Sequence, residues 1–494
     1  MEGQREIAFR PLGPARAVLR GGGAVEVPAG AHLRVRARGA RPARLSWAVV
    51  LAEAPLAARA RLEPLRAHYA ERGVATATRT TGGVFGLGGR VVDNRRELLV
   101  AAGPDDEAGA KDLLEELRVR HGARPVLHAE LARRPEGTLL LSAAGGGPLG
   151  EAEGAIALDV PGGEGFVVEA VEHDLGPKGR AREDRSYRGR LYVTVDAGGD
   201  LAAVHGVPLE ELLRGLVPSE MPASSPMAAL QAQAVTARSN VLAQLGTRHL
   251  VDPFMLCAEV HCQAYRGDGA TNPRTDAAVR ATRGEALFGK DGQLVDAVYS
   301  AHCGGHGEDN DKVWGNAPSP SLRGRPDLPP KAAARWAGGL ADEARLRAFL
   351  AEEQEGWCRR APGARRDRWR WERTLSAAAL DALVAPLGVG PRASLEVASR
   401  GVSGRARLLR VTGAEGSAEV SGELRIRRLL GNLPSAMFVV DPAVEGDGVV
   451  LRGGGWGHGA GMCQWGAVGR ASAGHDHRAI LRAYFSGAEV VKVY

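Results

Sequence analysis

The sequence predicts a multidomain α+β protein, and three observations carry that reading. The chain has 494 residues, more than one hydrophobic core serves, and its 44% apolar content permits several cores. From Leu45 onward, successive segments read as strand, helix, strand, strand, helix, strand. From Leu209 the apolar spacing turns helical, and glycine-rich and cysteine-bearing motifs follow.

The elements justify themselves in order. "LSWAVVLA" from Leu45 is strand-like, and "PLAARARLEPLRAHYAERG" has helical spacing. "VATATRT", a glycine-rich turn and "ELLVAAG" supply two further strands. "PDDEAGAKDLLEELRVRHG" is a helix with an acidic cap, and "RPVLHAEL" closes the set. This order is that of a ferredoxin-like split βαβ domain, expected over residues 1–140. Residues 141–186 read as a linker and β-rich connector, with boundaries at Ala143 to Gly154 and Gly176 to Gly189, both rich in glycine and charge. Residues 187–494 hold the glycine-rich and cysteine-bearing motifs. Within them the proline-rich stretch from Pro318 to Gly339 reads as a connector between two halves. No repeat of solenoid period is visible.

The stretch "LEELLRGLVPSEMPASSPMAALQAQAVTARSN", Leu209 to Asn240, is the most informative. Leu209, Leu212, Leu213 and Leu216 recur at helical spacing, and Pro218 and Pro222 are expected to force extended or turn backbone on either side of Glu220. Ser224 or Ser225 can cap the next helix, Pro226 suits its first position, and Gly246 ends it. Glu220 therefore sits in a helix-to-helix corner. On spacing alone, a solvated turn glutamate is the ordinary reading of such a residue.

A second constellation is "GGGWGHGAGMCQWGAVG", Gly453 to Gly469. Dense glycine permits close backbone approach to a ligand, and His458 and Gln464 place polar groups in the run. Neither a Gly-Lys-Ser/Thr ending nor a Gly-x-Gly-x-x-Gly turn between strand and helix is present, so the run does not read as a phosphate loop. Trp456 and Trp465 can stack on sugar rings or pack in the core, and core packing is expected of one of them. His458 reads either as a substrate hydrogen-bond donor or as a buried structural histidine.

The five cysteines allow two arrangements. Cys257 and Cys262, separated by four residues with His261 among them, can form a disulfide. Alternatively Cys257, Cys262 and Cys303, with His261 or His306, supply a zinc ligand set. Cys303 or Cys463 with His458 gives a third, peptidase-like possibility.

Charge excludes more than it suggests. The net charge is +6, but only six of the 64 basic residues are lysine and they are spread along the chain, so no basic groove for nucleic acid is expected. The Arg-rich stretch from Arg359 to Thr374 reads as a solvated helix or loop. The start "MEGQREIAFRPLG" has no apolar signal-peptide core, and no run is long enough to cross a membrane, which read literally describes a soluble cytoplasmic chain.

The motifs themselves point further. "VHGVPLEELLRGLVPSEMP…AALQAQAVTARS", "CAEVHCQAYRG", "AVRATRGEALFGKDGQLVDAVYSAHCGGHGEDNDKVWG" and "GGGWGHGAGMCQWGAVGRASAG" resemble, in order, the stage II sporulation protein D family of peptidoglycan lytic transglycosylases, from about Tyr187 to Tyr494. The resemblance implies a C-terminal SpoIID-type α+β catalytic region, with Glu220 of "PSEMP" as general acid and base. Gln233, Arg238 and Tyr299 match polar positions around the family's cleft. Trp456, His458 and Gln464 become candidate substrate contacts.

One carboxylate suffices for such a reaction, because the 6-hydroxyl of muramic acid attacks its own anomeric carbon. Ordinary glycosidases need two. Two departures stand out: Gln231 replaces a common lysine, and Gly304, Gly305, His306, Gly307, Glu308 replace Gly-Gly-x-Thr-Glu. Helical geometry puts Gln233 well round from Arg238, so the two are not expected to share a task, and a hydrogen bond fixing the Pro218 to Pro222 turn is as good a role for Gln233 as substrate contact. The N-terminal unit resembles a sporulation-related repeat (SPOR-like) domain, a class that binds glycan strands stripped of peptides. By resemblance the partners are peptidoglycan glycan strands and a cell-wall amidase, the location is the cell envelope or periplasm, and no cofactor is required for catalysis, a structural zinc being the one metal expected. A non-catalytic, amidase-activating envelope protein is the alternative.

Overall fold

The computed structural model of the protein describes residues 1–121, 125–174, 180–259, 261–314, 317–443 and 448–494. The chain opens not on the ferredoxin-like unit but on alternating strands. Glu6–Pro11 buries Ile7 and Phe9 on one face, and Ala15–Leu19 buries Ala15, Ala17 and Leu19, the period of two that a half-buried strand shows. These strands belong to two antiparallel sheets. One runs Pro148–Glu153, Glu136–Ala143, Leu33–Arg41, Glu6–Pro11, Phe166–Asp174, Arg180–Tyr187; the other runs Leu201–Gly206, Arg190–Val195, Ala155–Asp159, Ala15–Leu19, Gly23–Val27. Their inner faces share a core that includes Phe9, Leu33, Leu139 and Phe166 from the first and Leu19, Ile156, Leu158 and Val193 from the second.

The strand and helix order expected from Leu45 occupies residues 44–133 instead of 1–140. Strands Arg44–Pro55, Thr76–Thr81, Arg96–Ala101 and Val126–Arg133 form an antiparallel sheet in spatial order fourth, first, third, second. With helices Glu63–Ala70 and Glu107–His121 packed over Val49, Leu51 and Leu99, this is the ferredoxin-like arrangement. The unit is an insertion. Leu33–Arg41 before it pairs with Glu136–Ala143 after it, with Arg41 opposite Glu136. The β-rich connector expected over 141–186 consists of strands of the same two sheets, and the boundary expected from Gly176 begins among residues outside those described.

The helices that hold Glu220 rest on this double sheet. Leu213, Leu216, Val217, Ala234, Ala237 and Val241 join the same core. Helix Met227–Gln244 is buried nearly all round. It begins one residue later than the expected Ser cap, with Pro226 at its N-cap offering a carbonyl to the Leu230 N–H at 3.2 Å. Gly246, at φ 68°, lies just beyond its end. The preceding helix, Leu209–Glu220, runs through Pro218, because proline's fixed φ fits a helical turn and only one intrahelical bond is forfeited near the end. Extended backbone therefore follows Glu220, at Met221, but does not precede it.

The second core surrounds the other face of helix Met227–Gln244 and takes in Leu322, Leu328 and Trp336, so the stretch from Pro318 to Gly339 is packed and partly helical, not a loose connector. A third, smaller core lies between helix Ala377–Val384 and the sheet of Ser394–Arg400, Ala406–Gly413 and Gly416–Ser421. None of the described helices is long and apolar enough to cross a membrane.

The inserted unit clasps the buried helix. Asn94, itself buried, donates from Nδ2 to the carbonyls of Leu242 at 3.0 Å and Leu245 at 2.7 Å, satisfying acceptors that a helix C-terminus leaves open. Asn94→Ala strands these carbonyls and is expected to lower stability by about 1–3 kcal/mol, read from urea unfolding.

Candidate active site

Glu220 is the last residue of its helix and is half-buried. Its Oε1 accepts the Ala264 N–H at 3.0 Å, and the Gln464 amide reaches its Oε2 at 3.4 Å and its main-chain carbonyl at 3.2 Å. Burial raises its pKa, against the opposing pull of the Ala264 N–H, the Tyr299 hydroxyl and the Gln464 amide. No charged side chain is among the groups that set this shift. A carboxyl held this way stays protonated nearer to neutral pH, as a general acid requires.

Tyr299 and Gln464 are brought to Glu220 by a two-rung parallel ladder, in which Tyr299 pairs with Met462 and Ser300 with Cys463. The ladder explains part of the glycine density of the later run: a Cβ on Gly461, at φ 69°, would stand 2.0 Å from the Val298 carbonyl oxygen. Tyr299 donates to Gln263 Oε1 at 3.1 Å, and burial, then the neighbouring Glu220, push its own pKa well up. Gln263 donates onward to Asn240 Oδ1 at 2.9 Å, and Asn240 to Asp296 at 2.7 Å. Each polar group behind Glu220 is thus held by the next.

The other expected residues divide. Gln233 is fully buried and accepts from Gln464 at 3.5 Å, so it meets Glu220 through Gln464; its Nε2 has no partner among the described residues. Arg238 is not brought to Glu220. Its guanidinium grips Glu210 with two bonds of 2.8 Å and the Glu285 carbonyl at 3.0 Å, and the Tyr494 hydroxyl donates to the same Glu210. The two residues point different ways, as their separation round the helix requires.

His458 is also a support, not a free substrate donor. Its Nδ1 accepts the Ala460 N–H at 3.1 Å, which leaves the proton on Nε2 to donate to the Tyr299 carbonyl at 2.9 Å. Burial holds its pKa down at about 3, so the ring is neutral. With both nitrogens engaged it cannot serve Cys303 or Cys463 as a base. Trp465 packs against the second core, whereas Trp456 is 39% exposed with Arg368 4.1 Å from its ring centre. Trp314, which the sequence reading missed, is exposed and its ring lies 4.9 Å from that of His458.

Glu308 is no partner for Glu220 either. It is buried elsewhere, its carboxylate taken by Asp309 N–H, Val402 N–H and the Ser403 N–H and hydroxyl.

Residues 197–288, which contain Glu220, Gln233 and the Cys257 to Cys262 loop, match the family described as SpoIID, Stage II sporulation protein. The chain carries a SpoIID domain. Residues 308–461 match a second family, a domain of unknown function (DUF8618). Over 296 residues the chain is 27% identical to an uncharacterized protein of Brachyspira hyodysenteriae, a match spanning 59% of this chain and 68% of that protein. It is 25% identical over 295 residues to the protein named amidase enhancer of Bacillus subtilis, covering 56% of this chain and 39% of that relative. A putative exported protein from Burkholderia pseudomallei is similar at 11% identity over 99% of this chain and 90% of that one, with a TM-score of 0.20, too low to carry an argument.

Within the SpoIID domain the expected metal set separates into two. Cys257 and Cys262 carry free thiols and lie with His261 and with His249, which the sequence reading did not include. His249 Nε2 is 3.1 Å from Cys262 Sγ, and His261 Nδ1 is 3.8 Å and 3.7 Å from the two sulfurs. Tetrahedral zinc with sulfur and nitrogen ligands has edges of roughly 3.3–3.8 Å; the two His261 distances fall in that range and the His249 distance lies a little below it, a donor set close to what such an ion needs. Asp252 bonds the far nitrogen of His249 at 2.8 Å, the outer-shell contact that orients a metal-ligating imidazole. Cys303 and His306 belong elsewhere: Cys303 lies with Asp327, Cys358 and Cys463, and His306 is buried against Phe349 with Nδ1 on the Gly307 carbonyl.

Three other contributors to the candidate site escaped the sequence. The Ala264 N–H has no side-chain signature at all. Gln263 and His249 had one, a glutamine directly after Cys262 and a histidine eight residues before Cys257, but both signals are weak without the fold.

Arg238 tests the distinction between support and chemistry. Arg238→Met leaves Glu210 without its cation and is expected to cost about 3–5 kcal/mol, while the Arg238→Met, Glu210→Met pair recovers much of the loss, both read by chemical unfolding.

Proposed function

We propose that this protein is a peptidoglycan lytic transglycosylase that cleaves the bond between N-acetylmuramic acid and N-acetylglucosamine, with Glu220 as its general acid and base. The observation that carries the reading is a half-buried carboxyl of raised pKa, surrounded by amides and a hydroxyl and without a charged partner among the described residues. Protonated Glu220 donates to the glycosidic oxygen as the bond breaks. The 6-hydroxyl of the same muramic acid residue attacks its anomeric carbon, and the carboxylate accepts that hydroxyl's proton, closing a 1,6-anhydro ring.

The remaining residues hold this proton in place. Gln464 and the Ala264 N–H fix the rotamer of Glu220, Gln233 backs Gln464, and Tyr299 borders the carboxyl with its hydroxyl steadied by Gln263. Exposed Trp456 and Trp314 offer faces to sugar rings. Glycan stripped of peptide stems is the preferred substrate, the inserted ferredoxin-like unit a glycan-holding, SPOR-like accessory, and the cell envelope the site of action. The relative named amidase enhancer motivates a second reading, in which the protein activates a cell-wall amidase without cutting glycan.

His249, Cys257, His261 and Cys262 would hold one zinc ion. Bound there, zinc supplies cross-linking, not hydrolytic chemistry, and steadies the loop that delivers Gln263 and the Ala264 N–H. Cys257→Ser with Cys262→Ser is expected to remove about one zinc equivalent and to lower Tm, measured by elemental analysis and thermal unfolding.

Digestion of denuded sacculi followed by mass spectrometry tests the reaction. Products ending in 1,6-anhydro-muramic acid are expected, reduced about 100-fold to 10,000-fold by Glu220→Gln. Because the acid form starts the cycle and its pKa is raised, turnover should hold at low pH and fall as pH rises through that pKa. Reducing ends carrying solvent oxygen mean hydrolysis; stimulation of an amidase equally by wild type and Glu220→Gln, with no cleavage, means the second reading.

A further inference from the structure

Three cysteines remain that neither the proposed chemistry nor the loop zinc group uses. Cys303, Cys358 and Cys463 come from separate segments of the chain and converge in the second core, each buried, with the carboxylate of Asp327 beside them. One sulfur or oxygen atom from each of the four lies within 4.8 Å of all the others. The sulfurs of Cys303 and Cys358 are 3.6 Å apart, and Cys303 Sγ is 3.3 Å from Asp327 Oδ2. A tetrahedral zinc ion with bonds to sulfur near 2.3 Å places neighbouring sulfurs about 3.8 Å apart. We propose that Cys303, Cys358, Cys463 and Asp327 form a second metal centre, a buried site for one tetrahedral zinc ion.

The surroundings suit thiolates. Cys463 Sγ accepts the N–H groups of Cys303 and Gly466, both at 3.2 Å, and caps the helix Gln464–Ser472, so the positive end of that helix faces the sulfur. Gly305 N–H points at Cys303 Sγ from 3.4 Å. Asp327 Oδ1 is held by Arg470 at 2.8 Å, and the Tyr484 hydroxyl lies 3.0 Å from Oδ2, the oxygen nearest Cys303. This is the outer-shell support that a ligating carboxylate needs. Arg370, which donates to the Gly304 carbonyl at 3.0 Å, adds a second cation at the edge of the cluster. Four anionic donors in an apolar core are costly unless a cation binds them, whereas zinc with two arginines nearby leaves little net charge. A disulfide between two of the thiols would leave the third buried thiol without a covalent partner. A cavity of about 20 Å³ lined by Cys303, Asp327, Arg470 and Tyr484 adjoins the cluster.

The centre would join what the cleft depends on. Cys463 directly precedes Gln464, Cys303 follows Tyr299 by four residues, and Cys358 sits on the short helix Trp357–Arg360 packed against helix Gln464–Ser472. Binding releases the thiol protons as thiolates form and fastens these segments to one another. The inference stands apart from the glycan chemistry, because it needs neither cleavage by Glu220 nor the loop group.

Elemental analysis of the full chain, reduced and dialysed with zinc, decides it. About two equivalents are expected for wild type and about one for Cys257→Ser with Cys262→Ser, whose zinc K-edge absorption should report three sulfurs and one oxygen. Cys358→Ser in an otherwise wild-type chain should lose about one equivalent, which keeps the test open if the loop variant fails to fold. Less than about a tenth of an equivalent in the loop variant, with all three buried thiols titratable after denaturation, overturns the proposal. So does unchanged zinc in Cys358→Ser, or a Cys303–Cys358 disulfide in peptide maps.

Discussion

A helix buried nearly all round sets the terms for the rest of this protein. Met227–Gln244 carries Gln233, Thr236, Arg238, Ser239, Asn240 and Gln244 into the interior, and a polar group there needs a partner or costs stability. Thr236 and Ser239 turn back to carbonyls of their own helix, at Ala232 and Val235, and Ser239 also accepts the Leu287 N–H. Arg238 demands Glu210, and Asn240 demands Asp296 and Gln263. Gln233 meets Gln464. Satisfying the helix therefore draws in the glutamate's own helix, the loop after Cys262 and the glycine run near the C-terminus, which are the segments that meet around Glu220.

Two glutamates, one half-buried and one buried, show how surroundings divide similar groups. Burial raises the pKa of both Glu220 and Glu308. Glu308 is enclosed by four donors and lies so close to the 401–403 turn that a Cβ on Gly401 would come within 2.2 Å of its Oε2. It ties a turn and is 2% exposed. Glu220 keeps fewer, longer contacts and remains partly open. Access, not acidity alone, separates the carboxyl proposed to react from the structural one.

What could be read from the sequence was local. The ferredoxin-like order was legible because each strand and helix advertises its own period. The insertion was not, because it depends on Leu33–Arg41 finding Glu136–Ala143 across the whole unit. Glu220 stood out through its dense flanking motif. Arg238 carried the same kind of signal but faces Glu210, a choice made by tertiary packing. The cysteines show the limit most plainly: Cys257 and Cys262 announce each other by spacing, whereas Cys303 sits beside Cys358 and Cys463 across 55 and 160 residues of chain, and separation in sequence says nothing of that.

The pairing of Arg41 with Glu136 has a consequence for how this architecture can change. The path leaves the double sheet and returns to it one strand over, about 4.8 Å away. To the sheets, the whole excursion is equivalent to a hairpin connection, and its closure entropy is borne by the unit's own folding. Lineages can lengthen, exchange or discard the excursion without shifting the register of either sheet. The Asn94 clasp on the helix end is the toll on that freedom, since any replacement must supply donors for the same carbonyls or leave water to do so.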